Sequence, residues 1–257
     1  MKKDIIFIPN INAGDNRSQP YHFSIASWKA WAMQYPNVQV VEWIDPIMEV
    51  SQMKTTLQRY WVFDILEHNR VEYNQVLLVD ADTIVHPNCP NFFKETNYEF
   101  CGVVNNGCYE WTTRSIRDWG RALFPTAKPI KTWKYLNGGF LIVNKKHRDF
   151  FKKIQTFYLE NLTNINTLTT QIKAGTDQTI VNYLIQEYDV ATRILPECYN
   201  LQSLFDKHLL HLPGRSWWPD ELIYLDAGWV YHFNAIPNNP RDDYYWMERT
   251  YNELYTK

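Results

Sequence analysis

Asp80-Ala81-Asp82 follows directly on the apolar run Val76-Leu77-Leu78-Val79. Two carboxylates one residue apart can both reach one hard cation, and that cation can hold a diphosphate. Side by side the two aspartates repel, so a cation between them removes a cost that they carry when bare. Mn²⁺ or Mg²⁺ suits such oxygen donors. A neutral imidazole would make a third ligand, and His232, in Trp229-Val230-Tyr231-His232-Phe233, is the candidate. Strand alternation sets His232 and Val230 on one face, with Tyr231 and Phe233 on the other. Asn137-Gly138-Gly139 precedes Phe140-Leu141-Ile142-Val143 and reads as a turn entering a strand. Backbone there can approach a ligand closely, and the Asn137 amide both donates and accepts. Asp177-Gln178 opens a helical pattern, where the first-turn N–H groups have no partners within the helix.

Taken singly, each feature has a plainer reading. An isolated D-x-D is as often a surface turn, and a lone histidine among apolar residues is more often core. Asn-Gly-Gly is a common junction, and an acidic first-turn residue is favoured by the helix dipole alone.

The elements that must position these residues follow from periodicity. Ile5–Pro9 reads as a first strand and 10–19 as a polar loop. Tyr21, Ile25, Trp28, Ala32 and Tyr35 share one helical stripe. Val38–Val41 reads as a second strand. Ser51 is placed to cap a helix striped by Met53, Leu57, Trp61 and Ile65. Val76–Val79, Phe100–Val104, Phe140–Val143 and Trp229–Phe233 read as further strands. The stretch 107–135 gives no clear pattern. Phe150, Phe151, Ile154, Phe157 and Tyr158 mark a helix, and a terminal helix begins near 241. Alternating strand and helix predicts an α/β fold with a mixed, mostly parallel sheet flanked by helices. In such sheets ligands bind beyond the carboxyl ends of the strands, where Asp80 and Asp82 fall.

The chain has 257 residues, net charge −2, 45% hydrophobic and 21% charged residues. That balance fits one folded domain and carries no global field toward nucleic acid or anionic membrane. The 11 Trp and 17 Tyr include flat amphipathic faces suited to sugars and bases, though most should fill the core. The four cysteines, Cys89, Cys101, Cys108 and Cys198, have no C-x-x-C spacing and read as reduced thiols. The first apolar run is too short for a signal sequence, and no stretch reaches the roughly 20 residues of a membrane span, so a cytoplasmic location is expected.

In the order D-A-D, N-G-G-F, D-Q and H-F, with Leu195-Pro196-Glu197-Cys198-Tyr199-Asn200 between the last two, the chain resembles the retaining glycosyltransferases of family 8. That is the glycogenin and galactosyltransferase group, with the GT-A fold, and the resemblance runs from about residue 5 to 235. It implies that Asp80, Asp82 and His232 hold Mn²⁺ (or Mg²⁺) against the diphosphate of a nucleotide-sugar, with Ala81 among the donor-binding residues, the donor being by family default a UDP-hexose such as UDP-glucose or UDP-galactose. It implies that Asn137, Gly138, Asp177 and Gln178 surround the donor sugar, with Asp177, Gln178 and Asn137 at the reacting carbon. It implies that Pro9, Asn10 and Ile11 hold the nucleoside and that Arg59 contacts the donor. One domain, 1–257, would then comprise a nucleotide-binding half of about 1–105 and an acceptor and sugar half of about 106–257. The family commonly continues H-F-x-G-x-x-K, whereas Ala235 and Asn238 stand here for the glycine and the lysine, with Arg241 the nearest replacement.

The resemblance implies transfer of a hexose, with retention, to a hydroxyl on a glycan or other acceptor. Acceptor contacts are expected from 107–135 and Leu212–Trp218. Lys128–Lys134 and Lys145–Lys153 leave a nucleic-acid acceptor as a lesser option. A sugar nucleotidyltransferase would want a more basic, Gly-rich loop after the first strand than Asn10–Arg17 offers. An inactive carbohydrate- or nucleotide-sugar-binding protein fits the aromatic content equally well.

Overall fold

Alternate residues of the strand Tyr73–Val79 enter two different cores. Val76 and Leu78 pack with Ile5, Phe7, Leu141 and Val143 on one face. Leu77 and Val79 pack with Ile6, Ile8, Phe140 and Ile142 on the other. These side chains are almost wholly buried, each contributing roughly 1.5–3 kcal/mol. Burial on both faces is why the strand reads as a continuous apolar run rather than an alternating one.

In the computed structural model, residues 2–12, 14, 18–202, 204, 222–234, 236 and 242–256 are described. In chain order the main elements are β1 (Lys3–Pro9), α1 (Tyr21–Ala32), β2 (Val38–Trp43), α2 (Thr55–Gln58), α3 (Val62–His68), β3 (Tyr73–Val79), β4 (Thr83–Val85) and β5 (Phe100–Val104). Then follow α4 (Tyr109–Leu123), β6 (Leu136–Asn144), α5 (Arg148–Ile172), α6 (Asp177–Glu187), β7 (Thr192–Ile194), β8 (Val230–His232) and α7 (Asp243–Tyr255). Six strands form one sheet in the order β2-β1-β3-β6-β5-β7. Only β6 runs against its neighbours, so the sheet is mixed and mostly parallel, as expected.

The reversal of β6 brings its beginning, Asn137 to Gly139, beside the carboxyl ends of β3 and β5. β4 and β8 form a separate antiparallel pair with Thr83 opposite His232. That pairing carries the distant histidine to the aspartates. A third apolar cluster, with Tyr231, Phe233, Trp246 and Met247, fixes β8 against α7. The indole of Trp28 in α1 donates to Thr83 Oγ1 at 3.0 Å, and that hydroxyl donates to the carbonyl of Asp80 at 2.7 Å. The turn between β3 and β4 is thereby tied to α1.

The structure corrects three local expectations. Ser51 caps nothing: it lies in a turn, and the first helical turn starts at Thr55. The buried amide of Gln58 binds that loop instead, accepting from the N–H groups of Ile47 and Met48 and donating to the carbonyls of Met48 and Met53. The single helix expected there is broken into α2, a 3₁₀ turn at Arg59–Trp61, and α3. Asn137-Gly138-Gly139 is not a turn but lies within β6. The unpatterned stretch 107–135 contains the 15-residue α4, whose polar surface interrupts the apolar run without breaking the helix.

Candidate active site

Asp80 and Asp82 stand at the turn between β3 and β4, and His232 ends β8. One donor atom from each of the three residues lies within 4.8 Å of the others. His232 Nε2 is 3.2 Å from Asp82 Oδ1 and 3.6 Å from Asp80 Oδ2. This corner of the structure brings together the three residues assigned to metal binding from sequence.

The tautomer of His232 follows from a chain of hydrogen bonds anchored in the backbone. The N–H of Gly139 donates to Asn137 Oδ1 at 2.8 Å, which fixes the orientation of that amide. The same oxygen accepts from Asn200 Nδ2 at 3.0 Å, so Asn200 Oδ1 is the atom 3.1 Å from His232 Nδ1. Nδ1 must therefore donate. Nε2 is left facing two carboxylates, an arrangement that repels unless a proton or a cation lies between them. Burial pulls the imidazole pKa down, but the charge and hydrogen bond of Asp82 and the charge of Asp80 outweigh it, and the net shift is upward. Asp80 is shifted upward by burial, against the pull of Arg59.

Gly139 makes room for this cluster. A Cβ there would meet Asp80 Oδ2 and His232 Cε1, each at 2.5 Å. Its φ is not left-handed, so closeness of approach and not backbone freedom requires the glycine. Oxygen and imidazole donors converging on a space that only glycine leaves open fit a divalent cation such as Mn²⁺ or Mg²⁺.

Asp177 and Gln178, at the start of α6, are buried beside the cluster. Asp177 Oδ2 accepts from the Tyr60 hydroxyl at 3.1 Å and lies 3.5 Å from Arg59 Nη2. Arg59 Nη1 donates to Asp80 Oδ1 at 2.6 Å and to the carbonyl of Gly138 at 2.9 Å. The guanidinium is buried, yet its pKa moves upward: desolvation opposes the charge, and Asp80 and Asp177 more than compensate. Gln178 accepts from the N–H of Gly138 at 2.9 Å and donates to Asn105 Oδ1 at 3.2 Å. Asn137 gives its two N–H donors to Asn105 and Gln202. Its amide is thus committed to the wall itself.

Two clefts meet at the carboxylates. The first, of about 140 Å³, is lined by Pro9, Ile11, Tyr21, Thr55 and Ala81, among others. The second, of about 320 Å³, is lined by Trp111, Lys173, Thr176, Asp177, Gln178 and His232, among others. Thr56, Arg59, Asp80 and Asp82 line both. Asn10 turns aside, its side chain donating to Glu42 and its N–H to the carbonyl of Trp43. A larger cavity of about 450 Å³ between α4 and α6 is lined mostly by residues of 107–135, the stretch expected to meet an acceptor, and by none of the residues assigned to the metal or the donor.

Tyr60, Asn105 and Gln202 were not evident from sequence as parts of the site. Asn105 carried one available signal, being a polar residue directly after a buried strand, as Asp80 is. The other two carried none. Leu212–Trp218, Ala235, Asn238 and Arg241 lie outside the described residues. No helix among the described residues is long and apolar enough to cross a membrane.

No protein-family model and no curated protein matches the chain. Among solved structures, it is similar to a glycosyltransferase involved in the glycosylation of the major capsid of PBCV-1. That likeness has a TM-score of 0.60 at 11% identity and covers 96% of this chain and 99% of that one. Mouse xyloside xylosyltransferase 1, in its apo form, gives a TM-score of 0.48 at 11% identity over 91% of this chain and 100% of its own. The apo form of the glycosyltransferase GlyE from Streptococcus pneumoniae TIGR4 gives 0.46 at 14% identity over 100% of this chain and 64% of its own. At these identities the likeness is one of fold, and the first structure carries it: the chain has a GT-A-like mixed α/β fold.

Proposed function

We propose that this GT-A-like chain is a metal-dependent glycosyltransferase, moving a hexose from a nucleoside-diphosphate sugar to a hydroxyl acceptor with retention of configuration. The observation that carries the reading is the Asp80–Asp82–His232 cluster on the common wall of two clefts. A donor of two parts joined by a diphosphate matches that layout. The nucleoside would occupy the first cleft, against Pro9, Ile11 and Tyr21, and the sugar the second, against Asp177 and Gln178. The residues up to about 105 would thus serve the nucleotide, and the later ones the sugar and acceptor.

A divalent cation on Asp80, Asp82 and His232 would supply positive charge against the leaving diphosphate. The remaining work falls to the chain. Arg59 holds Asp80 and Asp177 in fixed relation and brings a buried guanidinium to the junction of the clefts. Asp177, pinned by Tyr60, offers negative charge to an anomeric carbon that becomes cationic as its bond to phosphate breaks. Gln178, Asn105, Asn137 and Asn200 form the rigid layer behind, so no reorganisation is needed during reaction. In the retaining reaction the acceptor oxygen bonds to that carbon on the face from which the diphosphate departs. The departing oxygen keeps the bonding electron pair and takes the acceptor's proton.

The test is nucleoside diphosphate release from a panel of UDP-, GDP- and ADP-hexoses, with Mn²⁺ and with chelator, without acceptor and with simple sugar alcohols. Metal-dependent release from a UDP-hexose is expected. No release from any donor under any of these conditions overturns the reading and leaves a binding protein on a transferase fold.

A further inference from the structure

Trp111 stands in the first turns of α4 and faces the second cleft. It is half-buried, one side packed against the main core and the rest lining the cleft with Asp177 and Gln178. Among the described residues its ring stacks on no other aromatic ring, although most large rings in this chain have such a partner. Its placement is fixed from two sides. The neighbouring Thr112 hydroxyl accepts from Asn105 Nδ2 at 2.9 Å, and Asn105 Oδ1 takes the amides of Asn137 and Gln178. Further along α4, the Trp119 indole donates to the carbonyl of Ala174 at 2.7 Å. Gly175 packs so tightly on Ser115 that a Cβ would come within 2.8 Å. The helix that carries the indole is therefore latched both to the layer behind Gln178 and to the loop 173–176 leading into Asp177.

A partly exposed indole that lines a cleft on a latched helix suits the apolar C–H face of a sugar ring. Around it the cleft offers the hydroxyl-bearing Thr56, Thr169 and Thr176 and the exposed Lys173, groups that hydrogen-bond sugar hydroxyls. We propose that the acceptor is a carbohydrate and that its terminal ring stacks on Trp111, which orients the attacking hydroxyl toward the donor sugar beside Asp177. This rests on the transferase reading and adds the acceptor class and the residue that selects it.

Two measurements on the full chain separate this proposal from the reading beneath it. The first is binding, without turnover. With the tryptophans ¹⁵N-labelled and UDP and Mg²⁺ present, the Trp111 indole signal is assigned by its loss in Trp111→Phe. Methyl glycosides of glucose, galactose and xylose are then titrated in, with glycerol as a ringless control. Movement of the Trp111 signal with at least one glycoside, and not with glycerol, is expected. A Trp111 signal unmoved by every glycoside overturns the proposal, whether or not the chain turns over a donor.

The second is kinetic and uses the donor that the release assay selects. Trp111→Ala should raise the glycoside KM about tenfold and increase the share of donor lost to water, while Trp111→Phe should recover most of the wild-type KM. A wild-type KM in a folded Trp111→Ala chain overturns the stacking role while leaving donor chemistry intact. Absence of donor release in the wild type counts against the transferase reading itself, and the binding titration then decides on Trp111 alone.

Discussion

Arg59 and Asp80 are joined at 2.6 Å between Nη1 and Oδ1, and the same guanidinium lies 3.5 Å from Asp177 on another element. One buried cation thus connects a residue of the Asp80–Asp82–His232 cluster with one of the second cleft. Neither carboxylate has its position set independently of the other.

Removing that cation should destabilise the fold. Arg59→Met leaves Asp80 and Asp177 without their buried counter-charge, a loss of about 3–5 kcal/mol for a broken buried pair. Urea unfolding at pH 7 checks it. Added Mn²⁺ should recover part of the loss, because it supplies Asp80 with another positive partner. A variant with the wild-type midpoint would show that the guanidinium is dispensable to the fold.

Asp177→Asn keeps the shape of the side chain and removes its charge. If that charge acts on the reacting sugar, turnover should fall about 100-fold or more while donor KM moves only severalfold. Steady-state kinetics with the selected donor distinguishes the two parameters. Unaltered turnover would remove Asp177 from the reacting centre and leave it as a partner for Arg59 and Tyr60.

Gly139→Ala tests the space beside the Asp80–Asp82–His232 cluster. The added methyl would stand 2.5 Å from both Asp80 Oδ2 and His232 Cε1, so both must give way. Overpacking of this kind costs about 1–3 kcal/mol, and Mn²⁺ affinity should fall about tenfold or more. Titration calorimetry with Mn²⁺ measures it. Gly138→Ala is the milder comparison, its nearest contact being Asp177 Oδ2 at 3.3 Å. Wild-type Mn²⁺ affinity in Gly139→Ala would separate the cluster from metal binding.

Stability should also depend on His147, far from the clefts. Its Nδ1 accepts from the N–H of Asn144 at 3.1 Å, closing a capping box ahead of α5, and a protonated ring cannot accept there. Burial, followed by the nearby charge of Lys146, pushes its pKa down to about 4. Between the ordinary imidazole value of about 6.5 and about 4, the unfolded chain binds a proton that the folded chain does not. Stability should therefore fall as the pH is lowered through that window and level off below it. The loss is at most about 3 kcal/mol, less the share that partial exposure to water screens. His147→Gln should flatten that part of a pH series of urea midpoints. An identical slope in the variant would assign the acid sensitivity to other groups.

The sheet was legible in the sequence because its strands are buried on both faces, which leaves little choice of residue: Val76–Val79 and Phe140–Val143 read as strands for that reason. The same logic marked Asp80, since a carboxylate directly after such a run has to leave the core. What the sequence did not carry was which polar residues meet. Tyr60 and Asp177 are 117 positions apart, Arg59 and Gly138 are 79 apart, and Asn137 and Gln202 are 65 apart. Each pair is brought together by the order of strands in the sheet and by the reversal of β6, and no local pattern encodes either. The second glycine of Asn-Gly-Gly was legible as a place of close approach, but its setting was not: the sequence suggests a turn against a ligand, and the structure shows a strand pressed against Asp80 and His232. Local sequence thus determined the elements and the residues that must emerge from them, because burial and backbone preference act over a few residues. The charge balance at Arg59, the tautomer of His232 and the division into two clefts were decided by the tertiary structure alone, because they depend on groups that become neighbours only when the chain has closed on itself.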